Sequence, residues 1–271
     1  MRVIVTSHGA AILGAMYSWR RIDLHATPPA DAAGAAPRYA IYYAPPPASP
    51  WASFGAAWLG RDARTGHDVM PPAVSGLTAM DIRRWTAAPR RYGWHATLKP
   101  PFRLKSPYTL HDLLGEVARL AHSLPPVNLA PLATAALDRF VALRPAHEDP
   151  RIAAIARVCT KQFDALRAAP TADELGRRTA TPLTPNQRVM LERWGYPYVM
   201  DEFRFHFTLT GSLPEGERRR FVAALAPVVA TLNAHPLQLD GLAVFCEPAP
   251  GADFRLLRRY GFDGSVEEVA P

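Results

Sequence analysis

The sequence predicts an α+β fold made of two similar lobes. Segments rich in aromatic and β-branched residues alternate with segments whose apolar residues recur at helical spacing, which indicates strands and helices in a mixed order. After residue 90 the predicted order is strand, helix, strand, strand, and the same order returns after a helical connection. This repetition, with little sequence identity between the copies, favours an internal duplication of one α+β unit.

The elements follow from local patterns along the chain. The first lobe is expected to contain strands at 38–44, 92–99, 127–129 and 137–143, and helices at about 51–58, 78–85 and 109–124. Pro100-Pro101 is expected to end the second of these strands, and Thr109 to cap the third helix. Helices at 150–169 and 185–194 lead to a strand at 198–213, a helix at 214–232, and strands at 237–247 and 254–260.

Composition limits the classes of function. The chain of 271 residues is 48% hydrophobic and 20% charged, as in an ordinary globular protein. Its formal net charge of +7 favours an anionic partner, but the arginines are dispersed, so a small phosphorylated molecule fits as well as RNA. Cys159 and Cys246 lie far apart with no Cys/His cluster around them. We therefore expect no disulfide framework and no zinc site, and a reducing cytoplasm as the location. No cofactor is expected.

The apolar segments of the chain are short. No run of about 18 apolar residues is present, so we expect no membrane-spanning helix. Residues 1–37 are predicted to be a poorly ordered extension and linker, because their apolar run is short for a signal peptide and residues 26–37 are rich in Ala, Pro and Gly. The globular part is then 38–271, with lobes at approximately 38–145 and 185–271 joined by a helical connection.

The same short motif occurs on two predicted strands, as His95-Ala96-Thr97-Leu98 and as His206-Phe207-Thr208-Leu209. Because alternate residues of a strand point to the same face, each motif presents an imidazole beside a hydroxyl. Two histidines with pKa values near neutrality can divide the roles of base and acid, and threonines can donate hydrogen bonds to phosphoryl oxygens. The sequence therefore predicts a catalytic quartet, His95, Thr97, His206 and Thr208, acting on a phosphodiester.

The motif alone has little specificity. A third match, His25-Ala26-Thr27, precedes two prolines in the predicted linker, and we interpret it as a chance occurrence. The two strand motifs are distinguished by Thr at i+2, Leu at i+3, an adjacent aromatic residue, and a place at the start of a repeated strand-helix-strand unit.

Three further residues are candidate phosphate ligands. Lys99 follows His95 by four residues and Arg204 precedes His206 by two, so each shares the face of its histidine if the strand is unbroken. Either cation can neutralise a phosphate, although a solvated charge at a strand end is the alternative for both. Tyr42, on the first strand, is expected either to line the cleft or to pack in the core.

The motifs and their flanks resemble the two-histidine (2H) phosphoesterase superfamily. Residues 91–104 and 194–211 are more narrowly similar to its branch of phosphonate metabolism proteins, found in phosphonate-degradation operons, and the likeness extends from about residue 38 to the C-terminus. The resemblance implies a duplicated two-lobe fold, with antiparallel sheets lining a central cleft and helices outside. It also implies metal-independent hydrolysis of a cyclic or small phosphodiester by the quartet, with a ribosyl cyclic phosphate as a candidate substrate.

Other functions remain open at the level of sequence. The cleft could process RNA or nucleotide 2′,3′-cyclic phosphates, or the chain could be a non-catalytic RNA-binding module, which its basic charge would suit. A scaffold role in a multi-enzyme complex is the third alternative, and it predicts histidines buried more than about 10 Å apart, beyond the reach of one shared phosphate. The residues leave the oligomeric state and the division of acid and base between His95 and His206 open.

Overall fold

The computed structural model describes residues 36–269. Almost all of the predicted extension, including His25-Ala26-Thr27, lies outside these residues. The described part of the chain contains a large antiparallel sheet, a two-stranded sheet and seven α-helices, which confirms the predicted mixture of helices and antiparallel strands. None of the helices within 36–269 combines the length and hydropathy needed to cross a membrane.

The helices and strands have the following bounds. The strands are β1 Arg38–Tyr43, β2 Ala96–Phe102, β3 Val127–Asn128, β4 Leu132–Leu137, β5 Phe140–Pro145, β6 Phe207–Thr208, β7 Gln238–Leu239, β8 Gly241–Glu247, β9 Arg255–Gly261 and β10 Val266–Glu268. The helices are α1 Pro50–Leu59, α2 Ala79–Arg90, α3 Leu110–His122, α4 Pro150–Gln162, α5 Ala172–Thr179, α6 Pro185–Trp194 and α7 Glu215–Leu232, with a short 3-10 helix at Met200–Glu202.

Eight strands form one sheet in the order β10-β9-β8-β1-β2-β6-β5-β4, and β3 pairs with β7 separately. All neighbouring strands of the large sheet are antiparallel. Strands β4 and β5, from the first predicted lobe, lie beside β6, whereas β8 to β10, from the second, lie beside β1. The two chain segments predicted as lobes therefore interleave in a single sheet, with the two motif strands adjacent at its centre.

The central strand β1 is covered on both faces. Tyr39, Ile41 and Tyr43 belong to the main hydrophobic core, which also contains the buried faces of α1, α3, α4 and α7. Ala40 and Tyr42 point the other way, into a smaller apolar cluster with Phe245 and Phe254. The alternation follows from the period of two in a strand, and it places Tyr42 on the face opposite the main core.

Local capping signals explain where several helices begin. The Thr109 hydroxyl accepts from the backbone N–H of Asp112, while the Asp112 carboxylate accepts from the backbone N–H of Thr109. This reciprocal arrangement satisfies two backbone donors that a helix N-terminus otherwise leaves free. The same box, formed by Thr184 and Gln187, begins α6. The predicted starts of α3 and α6 are confirmed.

Other predicted boundaries are wrong for identifiable reasons. Strand β2 continues through Pro100-Pro101, because β6 pairs with it only near Ala96, and the prolines therefore interrupt no ladder on that side. The strand expected at 198–213 is reduced to β6, since a 3-10 helix with Met200 at φ 56° breaks the extended backbone. Helix α4 ends at Gln162, and α5 and β10 were not predicted.

Candidate functional site

The two motifs meet where β2 pairs with β6. Ala96 lies opposite Phe207, and both side chains are buried in the core face of the sheet. Continuing this register by one residue in each direction sets His95 opposite Thr208 and Thr97 opposite His206. Side chains that flank a core-facing residue point to the opposite face. All four line one cavity, so the quartet predicted from sequence is brought together.

Both imidazoles are held in the same way. Nδ1 of His95 lies 2.8 Å from the carbonyl oxygen of Gly93, and Nδ1 of His206 lies 2.7 Å from that of Arg204. A carbonyl oxygen can only accept, so Nδ1 carries the proton in each ring and Nε2 of the neutral ring carries the lone pair. The two histidines thus have the same tautomer, each fixed by the carbonyl two residues earlier, with Nε2 free to meet a ligand.

Aromatic contacts fix the ring planes. Tyr42 stacks on His95, with ring centroids 3.7 Å apart and an angle of 16° between the planes. Phe140, at the start of β5, lies 5.7 Å from the ring of His206 at 49°. Each imidazole is therefore held in its plane by a hydrogen bond and against one face by an aromatic ring, which limits the rotations that would misdirect Nε2.

Burial makes both histidines neutral at pH 7. It lowers the pKa of His95 to about 4, with a further lowering from the nearby His206, against the opposing effect of the hydrogen bond to Gly93. Burial also lowers the pKa of His206, and Arg144 adds to that effect. The sequence had suggested one neutral and one protonated ring. In the structure both pKa values are lowered, so neither ring is the protonated one at pH 7.

The cavity has a volume of about 850 Å³ and an excess of positive groups. Four arginines line it, namely Arg38, Arg139, Arg178 and Arg204, against the two carboxylates of Asp138 and Glu202. The Glu202 carboxylate already accepts hydrogen bonds from the side-chain amides of Asn186 and Gln187, at 2.7 and 3.1 Å. The lining therefore suits an anionic small molecule. Within residues 36–269 no group of three His, Cys, Asp or Glu side chains is arranged to hold a metal ion.

The three predicted phosphate ligands have different positions. Arg204 lines the cavity with an exposed side chain, and its backbone carbonyl holds His206. Tyr42 both lines the cavity and packs, with 1% of its surface exposed. The predicted shared face of Lys99 and His95 is wrong, because Lys99 is buried on the opposite face and its Nζ donates to the carbonyl oxygen of Thr160 at 3.1 Å.

A β-bulge explains the position of Lys99. Tyr42 pairs with Thr97, whereas the preceding Ile41 pairs with Lys99, so Leu98 is an extra residue on β2. An extra residue reverses the alternation of faces beyond it. Lys99 therefore follows Ile41 into the core side of the sheet, where burial lowers its pKa to about 8.

Four further residues that were not predicted also line the cavity, namely Arg38, Arg178, Tyr92 and Tyr196. Arg38 could have been found, because it precedes Tyr42 by four residues on the same face of β1. Arg178 lies on α5, a short polar helix that begins with a capping box formed by Thr171 and Glu174, and this box is the signal that could have identified the helix. The scaffold alternative predicted histidines buried apart, yet His95 and His206 line the same cavity.

Comparison with models of protein families shows which family the chain belongs to. A model of the family described as protein of unknown function (DUF1045) matches residues 97–255, which is more than half of the chain. The chain belongs to the DUF1045 family. The match includes Thr97, His206 and Thr208 and begins two residues after His95.

Two bacterial proteins similar to this DUF1045 chain are both named ribose 1,5-bisphosphate phosphokinase PhnN. The protein from Janthinobacterium sp. (strain Marseille) is 35% identical over 237 residues, covering 86% of this chain and 52% of that protein. The protein from Laribacter hongkongensis (strain HLHK9) is 41% identical over 221 residues, covering 82% of this chain and 51% of that protein. The chain thus spans about half the length of the curated relatives it matches.

These comparisons change the functional conclusion. The predicted metal-independent phosphodiesterase, a hydrolase of cyclic or small phosphodiesters, is wrong, because both relatives are named as a phosphokinase. The family match and the relatives support the predicted phosphonate-metabolism branch but do not confirm the 2H superfamily.

Proposed function

We propose that this chain binds a phosphorylated ribose in the cavity and that His95 and His206 move protons at that ligand during phosphoryl transfer. The observation that carries the proposal is the common tethering of the two imidazoles, which leaves both Nε2 atoms free at one cavity beside Thr97 and Thr208. The class of ligand comes from the relatives, whose name specifies ribose 1,5-bisphosphate.

The cavity can bind a phosphate by hydrogen bonds, and the bound phosphate then changes the pKa values of the histidines. The neutral Nε2 atoms accept hydrogen bonds from a sugar hydroxyl or a protonated phosphate oxygen, and the threonine hydroxyls donate to unprotonated oxygens. The second pKa of a phosphate monoester is about 6, so both of its charge states are accessible near neutral pH. A bound anion favours the charged form of a nearby imidazole. Binding should therefore raise the pKa of both histidines and take up protons.

The same groups can then serve a transfer reaction. An imidazole whose pKa has been raised toward neutrality exchanges a proton readily, either taking one from an oxygen that attacks phosphorus or donating one to a phosphoryl oxygen. Arg204 and the threonines offer donors where negative charge is held during transfer. The proposal concerns the phosphorylated sugar alone: the lysines, Lys99, Lys105 and Lys161, follow Leu, Leu and Thr, so the sequence has no G-x-x-x-x-G-K-[ST] pattern for a nucleotide phosphate.

Calorimetric titration of the purified full chain with ribose 5-phosphate and ribose 1,5-bisphosphate tests the binding. His95→Asn and His206→Asn are the informative variants, because an asparagine amide can keep the bond to the backbone carbonyl while Nε2 is lost. Each should weaken binding by about tenfold or more. His147→Asn is the matched control, since His147 is exposed and does not line the cavity. Binding that survives unchanged in both cavity variants would contradict the proposal.

Proton uptake and turnover test the chemistry. Titrations at pH 7 in two buffers of different ionisation enthalpy should show net proton uptake by the wild type, and less by either cavity variant. Transfer of phosphate from ATP to ribose 1,5-bisphosphate, with Mg²⁺ present, is followed by ³¹P NMR, and a wild type that transfers no phosphate overturns the role in transfer while calorimetry still tests binding. Transfer that is lost in His95→Asn and His206→Asn supports proton movement by these residues, whereas transfer that persists in both variants rules it out.

A further inference from the structure

A second cationic group lines the cavity away from the quartet. Arg38 on β1 and Arg178 on α5 both face it. The guanidinium of Arg38 pairs with Glu247, and Arg91 pairs with the same carboxylate, which is fully buried. Two guanidinium groups thus share one carboxylate and leave an excess of one positive charge at the Arg38 end of the cavity.

Arg178 has no such partner. Within residues 36–269 its guanidinium makes no hydrogen bond or ion pair, although the side chain is partly buried. The carboxylate of Glu174, one turn earlier, is occupied by Arg103 at 3.1 Å and by the backbone N–H of Thr171. A partly buried guanidinium without a carboxylate partner is available to pair with an anion in the cavity.

An aromatic ring and several charged groups surround the Arg178 guanidinium. Its carbon lies 5.4 Å from the centroid of the Tyr196 ring, which covers one face of the guanidinium and leaves the N–H edge free. Burial lowers the pKa of Arg178, the nearby Glu174 and Tyr196 raise it, and the neighbouring charge of Arg38 lowers it, so a bound anion would offset the repulsion between the two arginines. A planar, unpaired guanidinium at a cavity wall matches the bidentate geometry of phosphate.

Arg38 and the quartet lie at different ends of the cavity. Arg38 and Tyr42 lie on the same face of β1 and are separated by about 13 Å along the strand, given a rise near 3.3 Å per residue. Tyr42 stacks on His95, so the quartet lies at the far end of this span from the backbone of Arg38. The Tyr42 and Tyr92 rings also line the cavity, and aromatic rings are a surface suited to a sugar.

We propose that Arg38 and Arg178 form a second anion subsite, which takes the distal phosphate of a sugar bisphosphate while the quartet holds the other. This inference rests on the proposed function. It makes these two arginines the residues that distinguish a bisphosphate from a monophosphate, since a ligand with one phosphate can fill only one of the two positions.

The test is the ratio of two affinities, measured by calorimetry on the full chain for ribose 1,5-bisphosphate and ribose 5-phosphate. The wild type should prefer the bisphosphate by about 10- to 100-fold, the range expected for charge-assisted bonds to one phosphate. Arg178→Gln should reduce this preference to about threefold or less. Arg177→Gln is the matched control, because it removes the same charge from an exposed neighbour that does not line the cavity.

Each result separates the two proposals. Loss of the preference in Arg178→Gln, but not in Arg177→Gln, supports the subsite. An unchanged preference in Arg178→Gln, with binding still weakened by His206→Asn, overturns the subsite and leaves the proposed function standing. A wild-type chain that binds both ligands equally also overturns the subsite, and one that binds neither at millimolar concentration overturns both proposals.

Discussion

Tyr42 and His95 form a face-to-face stack at the centre of the cavity wall, with ring centroids 3.7 Å apart. The tyrosine is almost fully buried, so it excludes water from one face of the imidazole. Because burial is the largest cause of the lowered pKa of His95, this contact helps to determine the proton affinity of a group that faces the ligand. A packing contact and a chemical property of the site are therefore coupled.

Replacing Tyr42 tests this coupling. Tyr42→Ala should raise the pKa of His95 from about 4 toward 6.5, because water reaches the exposed ring face. It should also lower the free energy of unfolding by about 3 kcal/mol, as for other buried aromatic residues replaced by alanine. Imidazole NMR titration and urea unfolding measure the two effects. Tyr42→Phe keeps the stack and should resemble the wild type; an unshifted pKa in Tyr42→Ala would show that the stack does not control it.

Stability should fall in mild acid because of His95. Its pKa is about 4 in the folded chain and 6.5 when unfolded, so between these values the unfolded chain takes up a proton that the folded chain does not. Stability is then full above pH 6.5 and decreases as the pH falls toward 4, by about 2 kcal/mol at pH 4.5. His206 shifts in the same direction and adds to the decrease.

Urea unfolding at pH 7.0 and 4.5 measures this dependence. His95→Asn cannot titrate in this range, so its loss of stability between the two pH values should be smaller than that of the wild type. A variant with the full wild-type loss would mean that other groups, and not His95, cause the acid sensitivity.

Substitutions of Arg204 and Lys99 should differ in their effect on ligand affinity, although the sequence predicts both residues as phosphate ligands. Arg204→Gln should weaken binding of ribose 5-phosphate by about tenfold, because it removes a charge from the cavity wall. Lys99→Met should leave the affinity within about twofold, since Nζ points to Thr160 on the other face of the sheet. Calorimetry compares the two variants directly. A large loss of affinity in Lys99→Met would contradict the position of the bulge at Leu98.

Local chemistry made much of this fold predictable. The capping residues Thr109 and Thr184 identify the starts of α3 and α6, because a hydroxyl three residues before a side chain that can bond back is a short-range signal. The shared face of His and Thr in each His-x-Thr motif likewise follows from the period of a strand alone. These features depend on residues within one turn or a few positions of one another.

The arrangement of the site depended on distant residues. The adjacency of β2 and β6 joins positions more than a hundred residues apart, and no local pattern specifies it. The bulge at Leu98 reverses the face of Lys99 through pairing with β1, which the sequence of β2 alone does not reveal. The capping box of Thr171 and Glu174 identifies the start of α5, but it does not show that Arg178 faces the cavity, because β1 and the other lining residues lie far away in the sequence.

Gly55 should be indispensable for the wall behind the quartet. A Cβ atom at Gly55, on α1, would lie 2.0 Å from Cγ of Trp94, inside the ring's own volume. Trp94 stacks on Phe207 with ring centroids 5.0 Å apart, so a displaced indole would disturb β2 and β6 beside His95. Gly55→Ala should lower the free energy of unfolding by about 3 kcal/mol and weaken ligand binding as well.

Gly115 provides the matched control for this substitution. It lies inside α3, where a Cβ atom would meet nothing within 4 Å. Alanine is a better helix former than glycine, so Gly115→Ala should raise the free energy of unfolding by up to about 1 kcal/mol and leave binding unchanged. Opposite signs for the two variants in urea unfolding would show that the space beside Trp94, and not helix propensity, requires the glycine at position 55. If both variants are stabilised, the indole can move aside and Trp94 does not fix the junction of β2 and β6.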